Sequence, residues 1–210
     1  MAQLPPQVSL VAVTKTHPVS LIMQAYEAGL RDFGENRVQE MIEKQPNLSD
    51  DVRWHLIGHL QTNKVKYIAP FVHMIHSIDS LKILKEINKQ GAKAGRIIDG
   101  LLQIYIASEE TKFGLSPDEA IQLLNNENVQ QMKNIRIRGL MGMATFTENE
   151  ALIKSEFKFL KQFYDKLKSE YFRDADSFNV LSMGMSGDYQ IAIAEGSTLV
   201  RIGTAIFGSR

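Results

Sequence analysis

Lys15 closes the apolar run Leu10-Val11-Ala12-Val13. Burial at such a place disfavours the charged amine and lowers its pKa. A neutral lysine amine can attack an aldehyde and form a Schiff base. Position alone does not assign that role, since a lysine at a strand end is most often a solvated charge. Two glycine turns near the other end of the chain suit an anion. Gly184, Ser186 and Gly187 make a turn whose backbone N–H groups can approach a phosphate, just before a helix start near Asp188. Gly203-Thr204 adds a second close backbone approach and a hydroxyl donor. Either turn alone reads as a simple chain reversal; the pair points to a phosphate site. Arg201 stands between Val200 and Ile202. An arginine in so apolar a strand points inward only if it finds a partner.

Other chemistries lack their parts. The chain has no cysteine. That excludes disulfides, thiolate metal sites and a cysteine nucleophile, and it fits a cytoplasmic protein. His55 and His59 are four apart but not in a helical His-Glu-x-x-His pattern, so no metal site is expected. Gly184-Met185-Ser186-Gly187 resembles a nucleophile elbow only superficially, because its second glycine comes one residue early. Lys64 and Lys66 read as a solvated helix face. Lys+Arg and Asp+Glu both number 24, for a formal net charge of zero. No global field favours nucleic acid or an anionic membrane. Residues 1–8 carry no basic, apolar leader pattern, and no run is long enough to span a bilayer.

The elements that must hold these residues follow one grammar. A short β-rich run leads into a polar turn and then a helical pattern. The strand-like runs are 9–15, 31–36, 53–58, 74–79, 100–107, 135–143, 178–182 and 199–207. Between them, helical spacing covers 21–29, 38–44, 62–68, 80–90, a stretch from 116, 149–170 and 188–195. Ser116-Pro117-Asp118-Glu119 carries a capping signature with proline at the first helical position. Eight strands alternating with helices predict a single (β/α)8 TIM-type barrel over residues 1–210. An open doubly wound sheet is the competitor, but it often carries a G-x-G-x-x-G after its first strand, and no G-x-G occurs here.

In such a barrel, chemistry sits at the C-terminal ends of the strands. That rule gathers Lys15, Glu35-Asn36, His55, His76-Ser77 with Asp79, Met143-Ala144-Thr145, Ser182 to Gly187 and Arg201 to Thr204 at one mouth. Neither chain end leaves room for an eighth helix. The wall between strands eight and one is therefore expected to be uncovered.

These stretches carry a resemblance. VAVTKT at 11–16, FGEN at 33–36, WHLIGHLQTNK at 54–64, HSID at 76–79, RGLM at 138–141, SMGMSGD at 182–188 and RIGTAIFG at 201–208 together resemble the pyridoxal phosphate homeostasis protein family. They run in order from strand one to strand eight. The resemblance implies a barrel like the N-terminal domain of alanine racemase, carrying pyridoxal 5′-phosphate (PLP). It places the Schiff-base lysine on Lys15, the phosphate contacts on Ser186, Gly203 and Thr204, and the pyridine-nitrogen arginine on Arg201. Asn36, His55 and Ser77 would line the pocket, with Met143 beside them. An arginine facing the pyridine nitrogen keeps it unprotonated, because a guanidinium does not give up its proton. That weakens the ring as an electron sink. The implied role is PLP homeostasis without robust turnover, with PLP-dependent apoenzymes as partners; a weak PLP-dependent amino-acid racemase is the alternative. Relatives carry a helix before strand one, which here is expected to be missing. The expectation is a monomer, with dimerisation through the uncovered wall as the other option.

Overall fold

The computed structural model describes residues 4–108 and 114–208. Eight parallel strands close into a barrel in sequence order. They are β1 (Ser9–Val13), β2 (Asp32–Glu35), β3 (Arg53–Leu56), β4 (Met74–Ile78), β5 (Ile98–Gln103), β6 (Ile135–Met141), β7 (Val180–Ser182) and β8 (Leu199–Ile202). β8 returns to β1 through Ser9↔Leu199 to Ala12↔Ile202. All residues of β4 and β5 are buried, as expected where helices cover a parallel sheet.

Among the described residues the helices are α1 (Val19–Glu27), α2 (Val38–Lys44), α3 (Val65–Ile68), α4 (Leu81–Lys93), α5 (Pro117–Leu124), α6 (Glu127–Gln130), α7 (Glu150–Glu170), α8 (Tyr189–Ala194) and α9 (Thr204–Phe207). Their starts follow local chemistry. The Ser116 hydroxyl accepts from the Glu119 N–H while the Glu119 carboxylate accepts from the Ser116 N–H, a reciprocal cap for α5. The Asn149 side chain caps α7 by accepting from the Leu152 N–H. α7 then buries Ile153, Phe157, Leu160, Phe163 and Leu167 along one face.

Two apolar regions result. The larger lies between strands and helices and includes Phe33, Trp54, Ile75, Leu102, Phe157 and Phe178. A smaller cluster fills part of the barrel lumen with Val11, Met74, Leu101, Met141, Val180 and Leu199. The rest of the lumen is polar.

Several sequence expectations need correction. The run 199–207 is not one strand: β8 stops at Ile202 and Thr204–Phe207 is helical. Its ladder partner explains this. Ala12 opposite Ile202 is the last paired residue of β1 on that side. Beyond it the chain has no neighbour to pair with, so it closes on itself, with Ile206 and Phe207 donating to Gly203 O. The fifth and sixth strands likewise end earlier, at Gln103 and Met141. Residues 62–68 divide into a 3-10 turn at Thr62–Lys64 and the short α3.

The wall between β8 and β1 is also not bare. The outward side chains Val200 and Ile202 are fully buried, packed with Val8. Leu4, Leu10, Tyr189, Ile193 and Ile206 close over them. This removes the apolar strip that made dimerisation through that wall attractive.

One glycine bears directly on closure. Gly139 has φ 151°, and a Cβ there would sit 1.7 Å from Val180 O. Relief would require β6 and β7 to part, since the obstacle is backbone. Gly139→Ala is expected to cost about 3 kcal/mol. A urea midpoint equal to wild type would overturn this.

Candidate functional site

Lys15 lies two residues past β1, on a turn. Its neighbours are clamped from below. The Thr14 N–H donates to Gly34 O at 2.9 Å and the Thr14 hydroxyl to Glu35 Oε1 at 2.7 Å. Thr16 has φ 65°, the one positive φ at a non-glycine among the described residues. Such a backbone costs roughly 1 kcal/mol or more and persists only where surroundings over-determine it. Here the Thr16 N–H donates to Glu40 Oε2 at 2.7 Å. Lys44 ties the clamp together: its Nζ donates to Thr14 O at 2.9 Å, to Glu35 Oε1 at 2.7 Å and to Glu40 Oε2 at 3.4 Å. Glu35 is fully buried and its Oε2 has no hydrogen-bond partner. Burial pushes its carboxyl pKa up, against the opposing pull of Lys44 and Thr14. The Lys15 amine itself makes no hydrogen bond or ion pair with the described residues, and its side chain is half-buried.

That amine opens on a cavity of about 470 Å³ at the C-terminal mouth. Lys15, Asn36, Met143, Ser186, Arg201, Gly203 and Thr204 all line it. Seven of the nine residues singled out from the sequence therefore meet in one place. The two glycine turns interlock: the Gly203 and Ala205 N–H groups donate to Ser186 Oγ at 3.3 and 3.5 Å. Gly184 has φ 97°, and a Cβ there would lie 2.7 Å from the Ala192 Cβ, so only glycine brings α8 this close under the turn. The backbone N–H groups of Ser186, Gly187 and Thr204 have no acceptor among the described residues. They are donors available to a bound anion.

Arg201 is 3% exposed. Its Nη1 donates to Ser182 O at 2.9 Å and Ser182 Oγ at 2.6 Å, and its Nη2 to Gly142 O at 3.0 Å. All these acceptors are uncharged. Burial lowers its pKa to about 10, with Asp188 pulling it back up. It stays a cation at neutral pH. Glu156 of α7 braces the cavity rim, accepting from Thr145 N at 2.8 Å and Thr145 Oγ1 at 2.7 Å, and from Ser108 N and Oγ at 3.0 Å.

His55 and Ser77 do not line the cavity. The His55 ring is buried in the lumen, at 3.0 Å from Asp32 Oδ1 and 2.9 Å from His76 Nε2. The Ser77 hydroxyl donates to Gly58 O at 2.6 Å and is used up there. Asp32, His55 and His73 each bring one ligand-type atom within 4.8 Å of the others. Asp32 already takes two hydrogen bonds from Arg53 and pairs with His55, so two of these three groups are already engaged. The sequence placed Ser182 at the mouth without a role and gave no site role to Thr14, Glu40, Lys44, Asp188 and Glu156. Only Lys44 had a visible signal, a lysine on the α2 face that packs under the FGEN strand.

The lumen makes stability depend on pH. Burial, with the neighbouring His55, pushes the His73 pKa down to about 4, against the pull of Asp32 and Asp99. Burial also holds His76 well below its usual value. An unfolded histidine takes up its proton near pH ~6.5. Between there and the folded value the unfolded chain binds more protons, so stability rises with pH across that window. It is fully present above the window and lost as pH falls through it. Glu35 has the opposite sign just above its ordinary 4.5, so two imidazoles compete with one carboxyl. The urea midpoint should fall as pH drops below ~6.5, and His73→Gln should flatten that fall. A midpoint constant from there down to about 4 would contradict this.

Comparison with known proteins gives a consistent result. The alanine racemase N-terminal domain family matches residues 1–210. A protein of Aquifex aeolicus called pyridoxal phosphate homeostasis protein is 41% identical over 206 residues, covering 96% of this chain and 86% of that one. The structures of PipY from Synechococcus elongatus, without and with PLP bound, are 38% identical. They superpose with TM-scores of 0.89 and 0.86, covering 99% of this chain and 95% of theirs. An alanine racemase of Clostridium difficile, 15% identical with TM-score 0.75, shares the fold; the match covers 99% of this chain and 54% of that one.

Proposed function

The chain belongs to the pyridoxal phosphate homeostasis protein family, with the barrel of the alanine racemase N-terminal domain, and on that premise we propose that it holds PLP as a Schiff base on Lys15. The observation that carries this reading is the cavity itself. It places an unpartnered amine, two interlocked glycine turns and a buried guanidinium around one space. Lys15 would hold the aldehyde carbon of PLP through its nitrogen, the aldehyde oxygen being released as water. The backbone N–H groups of Ser186, Gly187 and Thr204, with the Ser186 and Thr204 hydroxyls, supply donors for the phosphate. Gly203 lets the chain approach closely. Arg201 would present a fixed cation to the ring nitrogen, and Asn36 and Met143 would form walls. PLP bound in this way supplies an electron sink, and Arg201 keeps that sink weak.

The same geometry favours holding the cofactor over turning it over. Among the described residues the cavity lining contains no tyrosine or histidine to act as a second base opposite Lys15, and its one carboxylate, Asp188, accepts from the Met185 N–H. In this reading the protein is one cytoplasmic barrel domain that keeps PLP for PLP-dependent apoenzymes. Among the described residues no helix is long and apolar enough to cross a membrane.

The test is spectroscopic. Titration of the native protein with PLP is expected to produce a visible absorbance band, and borohydride should then fix the label on the peptide holding Lys15. No band, or a label on another lysine, would sink the reading. A visible band together with inversion of an amino acid, across a broad panel, would favour the weak racemase instead.

A further inference from the structure

The barrel lumen holds a line of polar groups that the cavity does not need for direct contact. We propose that Ser182, His76, His55 and Asp32 form a one-way hydrogen-bonded relay that positions Arg201 and compensates its buried charge with a carboxylate at the opposite mouth.

With both imidazoles neutral, as the relay requires, the two ends set the direction of every bond: Arg201 can only donate and an ionised Asp32 can only accept. A guanidinium can only donate, so at 2.6 Å the Ser182 oxygen accepts from Arg201 Nη1. The Ser182 hydroxyl proton is then free to go to His76 Nδ1 at 3.1 Å. A neutral His76 with Nδ1 accepting must carry its proton on Nε2, which donates to His55 Nδ1 at 2.9 Å. His55 in turn carries its proton on Nε2 and donates to Asp32 Oδ1 at 3.0 Å. Each group has one donor and one acceptor in use, and none is left over. His55, His76, Ser182 and Arg201 are all buried.

Need and location agree. The guanidinium hydrogen-bonds uncharged acceptors only; Asp188 acts on it through space, and a buried cation without a hydrogen-bonded carboxylate is costly. Asp32 begins β2 at the N-terminal mouth and is held ionised there: burial opposes this, but hydrogen bonds from Arg53 and His55 keep its pKa well below the usual range. Bonds aligned between a cation and an anion polarise one another and strengthen. The charged and titratable groups facing His76 are His55, His73 and Arg201, all of which disfavour a proton on it. His76 therefore stays neutral between the charged ends.

The relay itself can be tested without cofactor; its effect on ligand rests on the PLP reading. Long-range proton–nitrogen NMR spectra of the ¹⁵N-labelled protein should show both His55 and His76 as neutral Nε2–H tautomers at neutral pH. An imidazolium or an Nδ1–H tautomer at either residue would overturn the proposal. For ligand, Ser182→Ala should weaken PLP binding about tenfold or more, the range for losing a hydrogen bond to a charged group. Ser182→Thr, which keeps the hydroxyl, should restore it. Asp32→Asn keeps one acceptor oxygen for His55, removes the charge and gives up the second bond from Arg53. It should shift the pH midpoint of the visible band downward, because a less compensated guanidinium disfavours protons in the cavity. An Ser182→Ala protein that binds PLP as wild type does, or an unmoved midpoint in Asp32→Asn, counts against the relay. Borohydride labelling of Lys15 in the same samples separates the two ideas: label lost in the wild type removes the PLP reading, and label retained with no change in the variants removes only the relay.

Discussion

Lys15→Ala protein mixed with PLP is expected to show no visible band and to retain no label after borohydride. The amine that would form the bond is then gone, and among the described residues no other lysine lines the cavity. The other lysine beside it, Lys44, is buried below the turn and committed to Glu35, Glu40 and Thr14 O. The phosphate donors at Ser186, Gly187 and Thr204 remain, so PLP should still bind reversibly and be displaced by inorganic phosphate. Stability should stay within about 0.5 kcal/mol of wild type, since Lys15 has no partner among the described residues and lies past the end of β1. That combination matters: loss of the label with an unchanged melting temperature isolates chemistry from folding. A band that survives in Lys15→Ala would assign the bond to another amine.

Lys44→Met should be among the most destabilising changes in the chain. It leaves the Glu35 carboxylate, with no exposure to solvent, facing only the Thr14 hydroxyl, and it strips Thr14 O of a donor. Breaking a buried ion pair by removing one partner typically costs about 3–5 kcal/mol, against a total stability of roughly 5–15 kcal/mol for a protein of ordinary size. Glu35 has an escape, because its pKa is already raised and will rise further without the ammonium. The variant should therefore recover stability relative to wild type as pH is lowered from neutral towards Glu35's ordinary value of 4.5. The sign is that of a carboxyl whose folded state holds a proton the unfolded state has released. Glu35→Leu combined with Lys44→Met should restore much of the loss, as replacing both members of a buried pair often does. Urea unfolding at two pH values measures all of this; a Lys44→Met loss independent of pH would place the cost in packing alone. The clamp also positions Lys15, so the variant should form its PLP label more slowly even where it is folded.

Much of the site was legible because it is local. Lys15 ends an apolar run, Ser186 lies in one glycine turn, and Gly203-Thr204 follows an apolar strand bearing Arg201. Each is a pattern of a few consecutive residues, and the eight-fold alternation placed them all at one mouth. Strand eight was overextended because Thr204, Ala205, Ile206 and Phe207 look like strand by composition. Nothing local says that β1 has stopped pairing by then. His55 illustrates a different limit. Its place late in β3 suggested the cavity, but a closed barrel staggers its strands. Position along a strand is therefore not depth in the lumen, and His55 meets Asp32 at the start of β2.

By itself the sequence determined the barrel, the lysine at its rim and the two turns across from it, because periodicity and turn chemistry act over a few residues. The tertiary structure decided which polar groups hold those residues in place. Thr14 reaches Glu35 across 21 positions, Arg201 reaches Gly142 O across 59, and His76 reaches Ser182 across 106. A hydrogen-bond partner is chosen by distance and direction in space, and only the closed barrel sets those.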